Sequence, residues 1–398
     1  MMSDRSLPAP DRPWLVLFGL MLGVTVTNSF ARFAYGLILP AMKTDMGWTY
    51  AQAGWLNTAN ALGYLAGAVV TMVLIGRMPV TRLFNFGLLT TALSLLATGW
   101  GTGMEWQSFW RIAAGFFGAM SFSTAGVLTA RLFADDVRRS ALAIALLFGT
   151  GGGMGILLAG AAVPLFLGRY GAEAWPTAWY VIGGLGAACV PWALWSAGKL
   201  HHPGTASVAS GRLPLRRFLP LTFGYAGFGL GYIVYLTFLS AWMTEQATGP
   251  VGIALVWVVL GLAISASPFL WRGVFARFDS GVPLGLVLIG IALGSALPVI
   301  LPAGPAILIS AVIFGLCVFM SPGAVTHFVR RNLPPEQWGA AVSLLTVVFA
   351  LSQTVGPLGA GLLADRTGNL GDSLIAASLL LLAGAGCAFA QRPINTTT

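Results

Sequence analysis

The stretch WLVLFGLMLGVTVTNSFARFAYGLIL, residues 14–39, runs for 26 positions with one full charge, Arg32. At about 1.5 Å per residue, a helix of that length exceeds the ~30 Å of hydrocarbon in a bilayer. A second apolar run, AAGFFGAMSFSTAGVLTARL, fills residues 113–132. Of the 398 residues 57% are hydrophobic and 8% charged, against roughly a quarter charged in soluble domains. Such a chain cannot cover itself with a solvated surface, and it reads as an integral membrane protein. The first run is too long for the apolar core of a signal peptide and contains Arg32, so it is expected to be retained as a helix. Cys189, Cys317 and Cys387 all sit in apolar runs, where they read as packing residues and not as disulfide or metal partners.

Breaks at charges, prolines and turn residues predict spans near 14–40, 50–75, 83–101, 106–133, 139–168, 176–197, 218–243, 250–271, 282–301, 305–329, 338–363 and 373–390. Barrel strands need only ~9–11 residues with alternating polarity, so these longer unalternated runs predict an all-α membrane protein of twelve transmembrane helices. The basic residues set its orientation. With the N-terminus inside, sixteen Lys and Arg fall on cytoplasmic segments, while Lys43, Arg169 and Arg366 fall on the other side and Arg32 and Arg111 within spans. Both termini are therefore expected in the cytoplasm. The formal charge of +9 is spread over short loops as topogenic signals, which excludes a nucleic-acid partner.

The longest loop, Gly198–Arg217, is rich in Gly, Pro, Ser and His and reads as a linker. The expected organisation is an N-terminal six-helix half over 1–198, a cytoplasmic linker over 199–217 and a C-terminal six-helix half over 218–398. His201 and His202 lie in the linker without other ligand types nearby, so no metal site is expected there.

The two halves repeat each other at an offset of 200–201 residues. Arg32-Phe-Ala-Tyr35 falls on Tyr232-Ile-Val-Tyr235, Gly155-Ile-Leu-Leu-Ala-Gly160 falls on Gly356-Pro357-Leu-Gly-Ala-Gly361, and Arg131 with its following acids falls on Arg331 and Glu336. A parallel repeat of six spans plus six is the architecture of transporter halves whose interface holds the substrate at mid-membrane.

Three stretches carry a resemblance to the major facilitator superfamily over essentially the whole chain. Arg111-Ile-Ala-Ala-Gly115 resembles the family's motif B, with Ala114 in place of its usual Gln. Gly151-x-x-x-Gly155-Ile-Leu-Leu-Ala-Gly160 resembles the antiporter motif C, with Ile156 in place of Pro, and Gly356-Pro357-x-x-Ala-Gly361 repeats it with the Pro present. The motif A loop, Gly76-Arg77-Met-Pro-Val-Thr-Arg82, keeps two Arg residues but lacks the Asp. Arg32-Phe-Ala-Tyr-Gly36-x-x-x-Pro40 is similar to a mostly uncharacterised bacterial subgroup. The resemblance implies two pseudo-symmetric six-helix bundles, a bacterial inner-membrane location and secondary transport of a small-molecule substrate, with no cofactor and no enzymatic chemistry.

Small residues four apart cut a groove into a helix face and let two backbones approach. Gly151, Gly155, Gly160, Gly356, Pro357 and Gly361 are thus candidates for a moving interface, with spans five and eleven expected to face the opposing half and to tolerate no bulk at Gly155 and Gly356. An Arg at a helix centre costs on the order of 3 kcal/mol on insertion scales, which makes Arg32 and Arg111 candidate substrate groups. Counted from the expected span ends, the two lie at comparable depths of ~12 and ~8 Å. Either could instead snorkel to the interface or hold backbone carbonyls.

Polar and aromatic stripes extend the candidate site. They comprise Asn28, Arg32 and Tyr35 in span one, Asn57, Asn60 and Tyr64 in span two, Tyr225, Tyr232 and Tyr235 in span seven, and Thr346 and Gln353 in span eleven. Their spacing places each set on one helix face. No Asp or Glu lies deep in a span, and Glu105, Glu245 and Asp365 sit near the outer ends. The leading expectation is a transporter of a small organic anion working by alternating access, alone in the lipid bilayer as a monomer. A proton or a counter-solute could be its coupling partner. A proton-coupled multidrug or metabolite exporter is the alternative, and a non-transporting membrane sensor a remote third.

Overall fold

A computed structural model describes residues 12–133, 136–200 and 214–394. Most of the expected linker, with His201 and His202, lies outside the described residues. Twelve helices are long and apolar enough to cross a membrane. In chain order they are α1 (Pro13–Met46), α2 (Tyr50–Leu74), α3 (Val80–Thr98), α4 (Met104–Leu132), α5 (Arg138–Tyr170), α6 (Ala172–Gly198), α7 (Leu215–Glu245), α8 (Pro250–Arg277), α9 (Val282–Ile300), α10 (Gly304–Asn332), α11 (Glu336–Thr367) and α12 (Leu370–Ala390). Among the described residues there are no strands. Each predicted span finds its helix.

Local chemistry sets several ends. Gly47 follows α1 with φ of 63°, a left-handed position that glycine occupies without steric cost. Thr49 and Gln52 form a capping box at the start of α2, which satisfies two otherwise unpaired amides. Large apolar side chains such as Phe86, Phe109, Leu293 and Leu379 stay exposed, which suits a surface solvated by lipid.

Two features of α1 differ from expectation. The helix continues through Pro40 to Met46, so Arg32 sits ~21 Å from that end at 1.5 Å per residue and Arg111 only ~10 Å from the start of α4. The expected equality of depth is thereby corrected, and Arg32 is the deeper of the two. Residues Thr25–Phe33 are also wound as a π-helix, a wide-turn geometry that concentrates at functional sites.

The packing follows the repeat. Within the first six helices α1 packs on α6, and α2 and α3 on α4; within the last six α7 packs on α12, and α8 and α9 on α10. Between the two sets the main contacts pair α2 with α11 and α5 with α8, and α1 meets α7. Replacing each helix by the one six places later exchanges the first two pairings and maps α1 onto α7, as a two-fold arrangement requires. The most apolar windows of α1 and α7 are 78% and 89% buried, against 33% in α11, so α1 and α7 form the centre.

The face carrying Arg12 and Ile394 is called the terminal face below, and its opposite the distal face. Hydrogen bonds join the halves at mid-depth and on the distal face. Thr150 Oγ1 donates to the Ser265 carbonyl at 3.3 Å at mid-depth, and Thr58 Oγ1 donates to the Thr354 carbonyl at 2.7 Å. At the distal end the Asp365 carboxylate accepts from the amides of Tyr50 and Ala51, both at 2.8 Å. The Tyr50 hydroxyl donates to Glu245. Asp365 thus caps the N-terminus of α2 from the other half, where a negative charge and free amides suit each other.

Candidate functional site

The wide turn of α1 aims Arg32 at the centre of the molecule. Its side chain is 4% exposed, and Nη2 donates to the Tyr232 hydroxyl at 3.1 Å and to Oε1 of Gln353. Tyr232 donates to the same Oε1 at 3.0 Å. The guanidinium lies over the Tyr64 ring, 4.5 Å from its centroid, a cation–π arrangement. Helices α1, α2, α7 and α11 meet here, two from each half. Gln353 is fully buried, and its Nε2 has no hydrogen-bond partner among the described residues.

Behind Tyr232 stands a set of near-parallel rings. Phe228 stacks on Tyr232 with centroids 4.5 Å apart, Phe349 lies 5.4 Å from Phe228, and Tyr225 5.7 Å from Phe228. Of these rings the sequence stripes contain only Tyr225 and Tyr232. Phe228 was legible, since it is the repeat partner of Asn28 one turn from Tyr232. Phe349 lies one turn from Gln353 but, as a lone Phe in an apolar run, gave no signal.

Arg111 occupies a different place. It is 1% exposed and donates from Nη1 to the Ala31 carbonyl at 2.6 Å, with its guanidinium 4.9 Å from the Tyr35 ring centre and 5.7 Å from that of Trp179. Asn60 donates to the Ala31 and Arg111 carbonyls at 3.3 and 3.0 Å. The Tyr35 hydroxyl is spent on the Ala53 carbonyl at 2.7 Å. Arg111, Asn60 and Tyr35 therefore bind their own half together around the wide turn and do not join the Arg32 cluster. Tyr235 behaves as its repeat partner does, with its hydroxyl 2.8 Å from Ser310 Oγ and its ring stacked on Phe314. Neither Arg32 nor Arg111 takes part in an ion pair among the described residues.

The remaining candidates divide. Asn57 donates to Thr237 across the halves, on the distal side of Arg32. Asn28 is buried at 6% exposure one turn from Arg32. Thr346 is exposed and returns its hydroxyl to the Val342 carbonyl, away from the cluster. An open cleft of about 380 Å³ on the distal face, lined by residues including Asp45 and Glu173, is a separate and acidic feature. Among the described residues no group of three His, Cys, Asp or Glu could hold a metal ion.

Spans five and eleven do face the opposing half, α5 against α8 and α11 against α2, but the individual motif glycines require a correction. A side chain at Gly155 would meet Ser29 and Thr25 of α1, and one at Gly356 would meet Leu230 and Ile233 of α7. Both pack within their own half and not on the opposing one. The opposing half is met by the last glycine of each motif, Gly160 abutting Trp257 of α8 and Gly361 abutting Tyr50 and Ala51 of α2, and by Gly153, which abuts Gly261 and Ser265 of α8. The Pro357 carbonyl crowds Gly54 across the same seam, and Gly151 lies on Met21 of α1.

A transmembrane fold of six plus six helices with a buried polar cluster at their junction defines a secondary transporter of the major facilitator type. Residues 24–388 match the family described as "Uncharacterised MFS-type transporter YbfB", and the chain belongs to it. Among solved structures the fold is similar to a bacterial homologue of the human lysosomal transporter Spinster, in an inward-facing and unoccupied conformation. That likeness has a TM-score of 0.71 and 16% identity, covering 96% of this chain and 98% of that one. It is also similar to the nucleoside transporter NupG, at a TM-score of 0.62 and 13% identity, covering 98% of this chain and all of that one. At such identities the likeness concerns the fold alone. No curated protein matches the chain.

Proposed function

We propose that this transporter moves a small organic anion by alternating access, with the Arg32 cluster as its substrate site. One observation carries the reading: the Arg32 guanidinium lies at the junction of both halves, and its hydrogen-bond partners, Tyr232 and Gln353, bring no carboxylate to it. An entering carboxylate or phosphate offers the guanidinium an opposite charge and a second, parallel hydrogen bond, which the single neutral amide oxygen of Gln353 does not, and so displaces it. The two halves rock about α1 and α7. The described arrangement, joined on the distal face, is one end of that motion, with Asp365, Tyr50 and Glu245 as its latch.

The excess of basic residues on the terminal face supports cytoplasmic termini, and a linker between the halves over 199–217 follows from the repeat. The transporter works as a monomer in this reading, with a counter-solute or a proton as its coupling partner. The doubled glycine motif and the ring stack favour a second reading, a proton-coupled multidrug or metabolite exporter. Purified protein in liposomes, offered a panel of labelled anions, cations and neutral solutes, separates the two. Uptake confined to anions supports the first reading, and uptake of cations with anions excluded supports the second.

A further inference from the structure

Resting on the anion reading, the geometry points to a narrower substrate class: monocarboxylates with an aromatic body. The charge count comes first. Arg111 gives Nη1 to the Ala31 carbonyl and is enclosed by Tyr35 and Trp179 within its own half, its Nε and Nη2 unpaired there, which leaves Arg32, among the described residues, as the one guanidinium hydrogen-bonded across the junction. One fixed positive charge matches one negative charge on the ligand. A second carboxylate would be buried without a counter-ion, and isolated buried charge is strongly disfavoured.

The head group can be placed from the polar atoms. Oε1 of Gln353 accepts from both Arg32 and Tyr232, while its Nε2, fully buried, has no acceptor among the described residues. The amide oxygen occupies the acceptor position that a carboxylate oxygen would take. When a carboxylate replaces it at Arg32, rotation of the side-chain amide turns Nε2 toward the second carboxylate oxygen. The orphaned donor and the neutral stand-in acceptor thus belong to one recognition device.

The body follows from what adjoins that head. Tyr232 is the last ring of the stack with Phe228, Phe349 and Tyr225, whose neighbouring planes differ by 15–28°. Tyr64, from the other half, lies against the guanidinium with its ring centre 4.5 Å away. A planar ring attached to the carboxylate meets π-faces on this wall, where offset stacking adds to the burial of apolar area. A flexible alkyl chain gains the burial alone and loses rotamer freedom.

The test uses full-length protein in detergent, with benzoate, phenylacetate and indole-3-acetate compared with hexanoate, succinate and neutral phenylacetamide. Binding is followed by melting temperature and by competition against a labelled acid. At least one aromatic acid is expected to bind about tenfold more tightly than hexanoate, the equivalent of ring stacking at roughly 1.4 kcal/mol. Succinate and phenylacetamide should bind more weakly still. Phe349→Leu keeps apolar bulk and should erase the preference for aromatic acids while hexanoate binding persists. Phe228→Leu serves if the first variant does not fold. Gln353→Glu should fill the acceptor position permanently, raising the melting temperature and abolishing binding of every acid. Equal binding of hexanoate and the aromatic acids, all lost in Arg32→Ala, would overturn the aromatic class and leave the anion reading intact. Acid binding that survives Arg32→Ala, or binding of no acid at all, overturns both.

Discussion

Nη2 of Arg32 donates to the hydroxyl of Tyr232 at 3.1 Å, and the two residues stand exactly one repeat, 200 positions, apart. Equivalent residues of the two halves can touch only beside the axis that relates them. The contact therefore marks the pseudo-two-fold axis at mid-membrane, and the same position is a cation in one half and a phenol in the other. A symmetric pair of arginines there would repel. Divergence at this one position lets the halves close on each other and leaves one positive charge at the centre.

The last glycines of the doubled motif, Gly160 and Gly361, are predicted to govern motion between the halves. Gly361→Leu forces bulk against the backbone of Tyr50 and Ala51 and should abolish transport, with the protein still folded in detergent. Gly155→Leu, pressed into Ser29 within one half, should lower the melting temperature first, because overpacking costs ~1–3 kcal/mol. Transport rate and melting temperature measured on both variants check the contrast. Wild-type transport by Gly361→Leu would show that the seam does not need to close.

Asp365→Asn is predicted to loosen the distal latch. The amide keeps the shape but replaces a charged acceptor at two helix-terminal amides, and bonds of that kind contribute about 1.5–3 kcal/mol each. Spin labels at Gly103 and Gly304, in distal turns of opposite halves, report the outcome as a shift of the distance distribution to longer values. An unchanged distribution would remove Asp365 from the closing mechanism.

Arg111→Ala is predicted to be a stability variant. Loss of the bond to the Ala31 carbonyl and of two cation–π contacts should cost on the order of 2 kcal/mol, visible as a lower melting temperature. The KM for an anion should stay within about twofold, since a conserved Arg32 contact leaves the binding free energy nearly unchanged. A KM raised as far as in Arg32→Ala, in a protein of normal stability, would return Arg111 to the substrate site.

Much of this was legible in the chain. Run length and polarity specified twelve helices because lipid leaves the backbone no alternative, and the offset of 200 brought Arg32 and Tyr232 into register before any contact was visible. The end of α1 was misjudged at Pro40, since neighbouring helices can stabilise a proline within a membrane helix. Tyr35 and Tyr235 share their helix faces with true members of the cluster, Arg32 and Tyr232, while Arg111 lies on α4, a helix with no member in it. Periodicity gives a face its polarity but not its neighbour, so their turn into their own half was invisible. The same limit hid the exchange between Gly155 and Gly160, five residues apart and therefore on different faces of α5. The wide turn over Thr25–Phe33 has no sequence signal of its own.

Orientation is open to a simple check. Cysteine at Gly103 should react with a membrane-impermeant maleimide in intact cells, and cysteine at Ser280, on the terminal face, should react only after lysis, as the distribution of basic residues requires. The reverse pattern would invert the topology.

The most direct test of the account is counterflow of a labelled organic anion in liposomes containing wild-type protein, Arg32→Lys or Arg32→Ala. The account predicts anion exchange by wild type, a KM raised about tenfold in Arg32→Lys because the planar fork is lost while the charge remains, and no exchange by correctly folded Arg32→Ala. Exchange of an anion that survives Arg32→Ala at the wild-type rate would contradict it, and would reduce Arg32 to a structural link between the halves.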